Sequence, residues 1–119
     1  LAAHSLGCHL AAAWVGHSAH RERVRAALLV APPDLDRTDL PPQVAAWPRP
    51  VRTELPFPAL VVGSDDDPFS SMVATERLAS DWGAALWRLG CAGHINADSS
   101  LGAWPDGLAR LHELGSGSR

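Results

Sequence analysis

Residues 1–8, LAAHSLGC, pass from apolar residues through a serine into an alanine-rich stretch. This order predicts the end of a strand, a sharp turn at Ser5 and a helix over residues 6–19. A serine at such a turn raises its hydroxyl clear of the sheet when the residues two before and two after it are small, usually in the pattern G-x-S-x-G. Here those residues are Ala3 and Gly7, so Ser5 is either a nucleophile or an ordinary turn serine.

The rest of the chain alternates apolar runs with helix-like segments. The first helix is apolar on nearly every face, which predicts burial on more than one side. Further strands are predicted at 26–30, 59–63 and 84–90, and helices at 70–83, capped by Ser70 or Ser71 and ended by Gly83, and from Trp104 onward, with Leu108 and Leu111 facing inward. The predicted fold is therefore α/β, a mainly parallel sheet between two layers of helices.

Composition predicts one globular domain over residues 1–114, followed by a flexible tail at 115–119. The chain has 119 residues, of which 46% are hydrophobic, and no apolar run reaches the length of a bilayer helix, so no membrane partner is expected. A net charge of -3 without a basic stripe argues against nucleic acid. Cys8 and Cys91 are too far apart in sequence for a disulfide scaffold or a zinc site, so we expect two free thiols and no metal. We also expect no other cofactor and a cytoplasmic location.

A long proline-rich loop is predicted between the second and third strands. Residues 31–58 hold eight of the ten prolines, and a single helical turn is expected near 41–47. Loops of this length are often part of a binding site. Its larger apolar residues either wall a substrate pocket or pack the loop against the body: Leu35, Leu40, Trp47, Leu55 and Phe57.

An acidic cluster follows the third strand. Asp65, Asp66 and Asp67 come directly after the apolar run and before a proline. A carboxylate at this place can hold Nδ1–H of a histidine and stabilise the imidazolium formed during catalysis. A solvated loop and helix-capping acids are the ordinary alternatives, and calcium or magnesium binding is disfavoured because other oxygen ligands are missing at loop spacing.

His94 is the candidate general base, because it lies in a glycine-rich loop, GCAGH at 90–94, just past the last strand. His4 adjoins Ser5 but points to the other side of the chain, so we expect it to support the site rather than act as base. The remaining histidines lie on or beside predicted helices and are expected at the surface or in packing: His9, His17, His20 and His112. Serine, acid and histidine thus follow three strands in the chain order used by α/β-hydrolases.

Four segments resemble a known family: AHSLGC at 3–8, LLVAPPD at 28–34, LVVGSDDDPF at 60–69, and AGHINADSSLG with WP from residue 92. They are similar to the small lidless α/β-hydrolases related to retinoblastoma-binding protein 9 and bacterial YdeN. The resemblance implies Ser5 as nucleophile, His94 as base and, because it precedes proline, Asp67 as acid. It also implies that the Leu6 N–H is one of two oxyanion donors.

Such proteins carry several strands and a glycine- and histidine-rich loop ahead of the nucleophile, and the loop supplies the other oxyanion donor. We therefore expect this chain, which begins with Leu1, to be the C-terminal portion of a longer protein whose first strands are missing here. Loss of one donor costs on the order of a hundredfold to a thousandfold in rate, so low activity is expected of the chain alone.

The predicted function is acyl transfer to water through an acyl-enzyme, with a small carboxylic ester as the first choice of substrate and an amide or thioester after it. Because His94 must be neutral to accept a proton, activity is expected to fall as the pH drops through roughly 6 to 7. One alternative is a non-catalytic module that keeps the fold and binds a protein partner. A second is a metal-dependent hydrolase, which chelators would inhibit.

Overall fold

The computed structural model describes residues 1–116. In chain order the elements are β1 (Ala2–His4), α1 (Leu6–His17), a 3-10 turn (Arg21–Arg23), β2 (Ala27–Val30), α2 (Pro42–Ala45), β3 (Ala59–Gly63), α3 (Met72–Trp82), β4 (Ala85–Arg88), a second 3-10 turn (Ala97–Ser99) and α4 (Pro105–Ser116). The predicted strands and helices are confirmed within a few residues, and the first helix ends at His17 rather than at residue 19.

The strands of the described residues form one parallel sheet in the order β1-β2-β3-β4. Ala3 lies opposite Leu29, Leu29 opposite Val61, and Val61 opposite Leu86. Because all strands run the same way, the loops that follow them emerge at one edge of the sheet. This edge therefore collects Ser5, the acidic cluster and the histidine loop. Whether further strands pair with β1 in a longer protein stays a prediction.

Helices cover both faces of the sheet, which confirms the three-layer α/β architecture. Leu29 and Val61 point to the face covered by α1 and α3, where Trp82 is fully buried. The intervening residues point to the other face, because side chains alternate along a strand. There Leu28 and Val62 belong to a second cluster, against which α4 packs.

Two predictions of burial are wrong. The side of α1 that carries Leu10 is not buried: this leucine is 60% exposed. Leu108 of α4, expected to face inward, is 56% exposed, whereas Leu111 packs against the second cluster. Both leucines line open pockets beside β1, which is one of the two edge strands of the sheet within residues 1–116, and no described strand lies beyond β1 to cover them.

The proline-rich loop packs against the body at its C-terminal end. Leu55 and Phe57 are buried in the same cluster as Trp82, and the indole Nε1–H of Trp82 donates to the Val51 carbonyl at 2.7 Å. The predicted helical turn is present as α2. Leu35 and Trp47 line a cavity of about 820 Å³ formed by residues of the loop itself. The burial of Leu55 and Phe57 supports the packing role for these two residues. Leu40 is half-buried.

The boundaries of the last two helices follow local chemistry. Ser71 caps α3 by accepting from the Ala74 N–H at 3.1 Å, and Gly83 ends it in the left-handed conformation at φ 67°, as predicted. The predicted tail at 115–119 begins inside α4, which runs through Ser116, and its last three residues lie outside the described part of the chain. Among residues 1–116 there is no helix that is long and apolar enough to cross a bilayer.

Candidate active site

Ser5 occupies the turn between β1 and α1 in a strained backbone conformation. Its φ and ψ are 58° and -126°, in a region that a residue with a side chain seldom adopts. The Ser5 N–H donates to the Val30 carbonyl at 2.8 Å, which extends the pairing of β1 with β2 into the turn. Such strain persists only where the surrounding structure holds it, and it is concentrated at functional sites.

Ala3 causes no conflict at this turn, although glycine is usual at its position. A Cβ placed on Gly7 would lie 3.7 Å from the Cβ of Ala3, which is an ordinary contact distance. The extra methyl of Ala3 is therefore accommodated between the strand and α1.

The structure brings Ser5, His94 and Asp67 together. Nε2 of His94 lies 2.9 Å from Oγ of Ser5, and Nδ1 lies 3.0 Å from each carboxylate oxygen of Asp67. The side chains of His94 and Asp67 are only 11% and 2% exposed. Because an ionised carboxylate can only accept, Nδ1 must carry the proton, which leaves the Nε2 lone pair free to accept the Ser5 hydroxyl proton.

The three neighbouring aspartates have three different environments. Asp67 also accepts the Phe69 N–H at 2.9 Å, which orients its carboxylate toward the histidine. Asp65 forms an exposed ion pair with Arg88 of β4 at 2.8 Å. The carboxylate of Asp66 accepts the Gly93 N–H and the Ser64 O–H, and these two hydrogen bonds lower the pKa of Asp66. The three carboxylates therefore have different partners in the structure, which the local sequence around them did not distinguish.

His94 has two neighbours whose contacts the sequence did not predict. The His4 Nε2–H donates to the His94 carbonyl at 2.9 Å, and the two rings lie 4.9 Å apart. The ring of Phe69 lies 4.7 Å from the imidazole. His4 thus contacts the histidine rather than the serine, in line with its predicted supporting place. Phe69 belongs to the motif at 60–69, and no signal in its local sequence indicates this contact.

The histidine loop is anchored by a buried and strained residue. Ile95 is buried in the second cluster and has φ 51°, and Gly93 on the other side of His94 has φ 60°. A branched residue such as isoleucine seldom adopts this conformation. Because such strain persists only where the surrounding structure holds it, the buried Ile95 side chain fixes the backbone beside His94.

The remaining histidines make none of these contacts. His17, His20 and His112 are exposed, whereas His9 is buried at 2% exposure, where its Nε2–H donates to the Pro33 carbonyl at 2.8 Å. Both outcomes agree with the prediction of surface or packing positions. In the part of the chain that the structure describes, no group of three or more histidine, cysteine, aspartate and glutamate residues is arranged to hold a metal ion.

Solved structures that resemble the chain include those of three proteins. A YdeN-like hydrolase from Pectobacterium atrosepticum matches 97% of the chain and 58% of its own length, with a TM-score of 0.79 and 32% identity. The esterase domain of a Rhodothermus marinus protein matches 95% of the chain and 58% of its own length, with a TM-score of 0.66 and 21% identity. A Bacillus cereus carboxylesterase matches 92% and 48%, with a TM-score of 0.54 and 15% identity.

The two more distant matches support the fold alone. The chain spans somewhat over half the length of the hydrolase from Pectobacterium atrosepticum, its 32% identical relative. Curated proteins give no significant match. A family model described as Serine hydrolase matches residues 1–113, which is nearly the whole chain. The family model and the structural match to the hydrolase from Pectobacterium atrosepticum agree, and the chain therefore belongs to the serine hydrolase family.

Proposed function

We propose that the protein hydrolyses carboxylic esters through a Ser5–His94–Asp67 triad and an acyl-enzyme. The observation that supports this most strongly is the unbroken chain of contacts from the Ser5 hydroxyl through the imidazole to a carboxylate that is 2% exposed. Three strand ends, separated by up to 89 residues in sequence, contribute these groups. An arrangement in which a hydroxyl, a base and an acid meet in this order is the one that acyl transfer requires.

In the first half of the reaction, Ser5 Oγ attacks the carbonyl carbon of the ester while its proton passes to Nε2 of His94. The carbonyl oxygen becomes an oxyanion, and Asp67 stabilises the imidazolium that has formed. The C–O bond to the alcohol then breaks, and Nε2–H gives its proton to the departing oxygen. The acyl group remains bonded to Ser5.

In the second half, water repeats the same steps. The water oxygen attacks the acyl carbon while His94 accepts a proton from the water. The bond between the acyl carbon and Ser5 Oγ then breaks, and His94 gives the proton to Ser5 Oγ. The products are a carboxylic acid and the free serine. We assign one oxyanion donor to the Leu6 N–H, since Leu6 is the first residue of α1 and the first amides of a helix have no acceptor within the helix.

An ester is the first choice of substrate because an alcohol departs more readily than an amine. The amide and thioester alternatives are separated by comparing hydrolysis of one acyl group as its nitrophenyl ester, anilide and thioester. We expect the ester to react fastest, and an anilide that reacts as fast would contradict the choice. Location in the cytoplasm stays a prediction.

Labelling with a fluorophosphonate probe tests the proposed nucleophile. The probe should attach to Ser5 in the wild-type protein, as located by peptide mass spectrometry, and the Ser5→Ala variant should not be labelled. Ser80→Ala is a matched control, because Ser80 is an exposed residue of α3 and its loss should leave labelling unchanged.

A folded wild-type protein that takes up no probe would overturn the proposal. That result would favour the alternative of a protein-binding module with a hydrolase fold. Hydrolysis that a chelator abolishes would instead favour a metal-dependent enzyme. We expect activity to be unchanged by a chelator, because the proposed steps use only Ser5, His94, Asp67 and a backbone amide.

A further inference from the structure

Ser64 and Asp66 connect the acidic cluster to the loop that carries His94. Ser64 is buried at 2% exposure directly after β3, and its hydroxyl donates to Asp66 Oδ1 at 2.8 Å. The same hydroxyl oxygen accepts the Ala92 N–H at 2.9 Å. Asp66 Oδ1 in turn accepts the Gly93 N–H at 2.8 Å. Two consecutive amides just ahead of His94 are therefore held by two side chains next to Asp67.

Backbone hydrogen bonds extend this connection. The Leu89 N–H donates to the Gly63 carbonyl at 2.9 Å, and the Asp65 N–H donates to the Gly90 carbonyl at 2.7 Å. These bonds place the start of the histidine loop beside the end of β3. These backbone bonds reach no closer to His94 than Gly90. The Ala92 and Gly93 amides are held by the side chains of Ser64 and Asp66, and the Ala92 carbonyl accepts the Ser99 hydroxyl at 2.6 Å.

We propose that Ser64 and Asp66 are positioning residues, which set the place of the His94 imidazole between Ser5 and Asp67. The inference rests on the proposed function, because it assigns these residues a part in the same reaction. Its physical basis is that a catalytic group displaced by about 1 Å loses on the order of a hundredfold in rate. Neither residue contacts the reacting atoms, and each acts through the backbone of the histidine loop.

The competing view is that Asp66 only stabilises the fold. Two near-isosteric substitutions separate the views. Asp66→Asn keeps Oδ1 as an acceptor for the Gly93 N–H and the Ser64 hydroxyl, whereas Asp66→Leu has nearly the same shape and no acceptor. Both remove the charge, so a difference between them reports the hydrogen bonds. Asp65→Leu is the matched control, because Asp65 is an exposed neighbour whose hydrogen bond to the histidine loop uses its backbone N–H.

The experiment measures the rate of fluorophosphonate labelling of Ser5 and the low-field NMR resonance of the His94 Nδ1–H, with the melting temperature as a check on folding. We expect Asp66→Leu to slow labelling roughly tenfold to a hundredfold and to broaden the Nδ1–H resonance. Asp66→Asn should label within a few-fold of wild type, and Asp65→Leu should match wild type. Equal labelling rates and an unchanged resonance in Asp66→Leu would overturn the inference.

The outcomes separate this inference from the proposed function. A wild-type protein that is not labelled contradicts the proposed function, and the Nδ1–H resonance of the variants still tests the positioning role. If Asp66→Leu does not fold, hydrogen exchange in the wild-type protein tests the inference instead. Because Ser64 and Asp66 accept from the Ala92 and Gly93 amides, these amides should exchange far more slowly than free peptide amides. Exchange of both amides at the free-peptide rate would contradict the inference.

Discussion

Asp67 and His94 face each other across 27 residues of chain, with both carboxylate oxygens 3.0 Å from Nδ1. Asp67 lies in the loop after β3, and His94 lies in the loop after β4. These two strands are hydrogen-bonded neighbours in the sheet. The pair therefore depends on the parallel pairing of β3 with β4. Since both side chains are largely shielded from water, their mutual orientation is well defined.

Asp67→Asn should reduce the labelling of Ser5 by about a thousandfold to ten-thousandfold. The amide can turn its carbonyl or its NH₂ toward Nδ1, and the NH₂ group favours the tautomer that carries its proton on Nε2 and cannot accept from Ser5. Labelling kinetics measure the effect, and Asp65→Asn is the control because its ion pair with Arg88 is exposed. A loss of only a few-fold in Asp67→Asn would contradict the assigned role of the acid.

His9 should make the folded state less stable in acid. Burial lowers the pKa of His9 below its ordinary value of 6.5, and among the described residues its Nδ1 is the buried side-chain atom without a hydrogen-bond partner. Below pH 6.5, His9 therefore binds a proton more readily in the unfolded chain than in the folded chain. The stability that the neutral imidazole provides is present above pH 6.5 and is lost as the pH falls below that value toward the lowered pKa.

Urea unfolding at several values between about pH 8 and about pH 5 measures this effect. The control is His9→Gln, whose amide keeps a donor for the Pro33 carbonyl and does not titrate. The free energy of unfolding should fall more steeply with acid in the wild-type protein than in the variant. Parallel pH profiles would show that His9 contributes nothing to acid sensitivity.

Alanine at Gly83 and at Gly16 should have opposite effects on stability. Gly83 has φ 67°, and a Cβ there would lie 2.7 Å from the Glu54 side chain, so Gly83→Ala should cost roughly 1 to 2 kcal/mol. Gly16 lies near the end of α1 with nothing within 4 Å of an added Cβ, and Gly16→Ala should stabilise by about 0.5 kcal/mol. Chemical denaturation measures both, and a stabilising Gly83→Ala would contradict the left-handed cap.

The two cysteines should differ in reactivity. Burial raises the pKa of the Cys8 thiol to about 12, and the thiol donates to the Val30 carbonyl, whereas Cys91 is exposed. Because the thiolate is the reactive form, iodoacetamide at about pH 8 should alkylate Cys91 and leave Cys8 unmodified in the folded protein. Intact-mass and peptide analysis measure the products. Alkylation of both cysteines in urea is the control, and equal rates in the folded protein would refute the burial of Cys8.

Local patterns in the sequence were enough for the order of elements. Apolar runs of strand length and the residues that begin and end helices are set within a few neighbours, which is why β3 and the boundaries of α3 agree with prediction. The same local reading placed Ser5, the acidic cluster and His94 directly after strands. Selection among the three aspartates was beyond it, and only the family resemblance implied Asp67.

Which side chains are buried, and which side chains contact one another, depends on residues that are distant in the chain. These features were decided by the tertiary structure alone. Leu10 and Leu108 have the sequence pattern of buried residues but are exposed, because they line open pockets beside β1, one of the two edge strands of the described sheet. For His9 the sequence left a surface position and a packing position open, and the structure shows that it is buried. The sequence by itself determined a parallel α/β sheet with reactive residues at its strand ends, because periodicity and turn chemistry are local. Which of those residues meet, and which leucines are covered, was decided by the pairing of the strands.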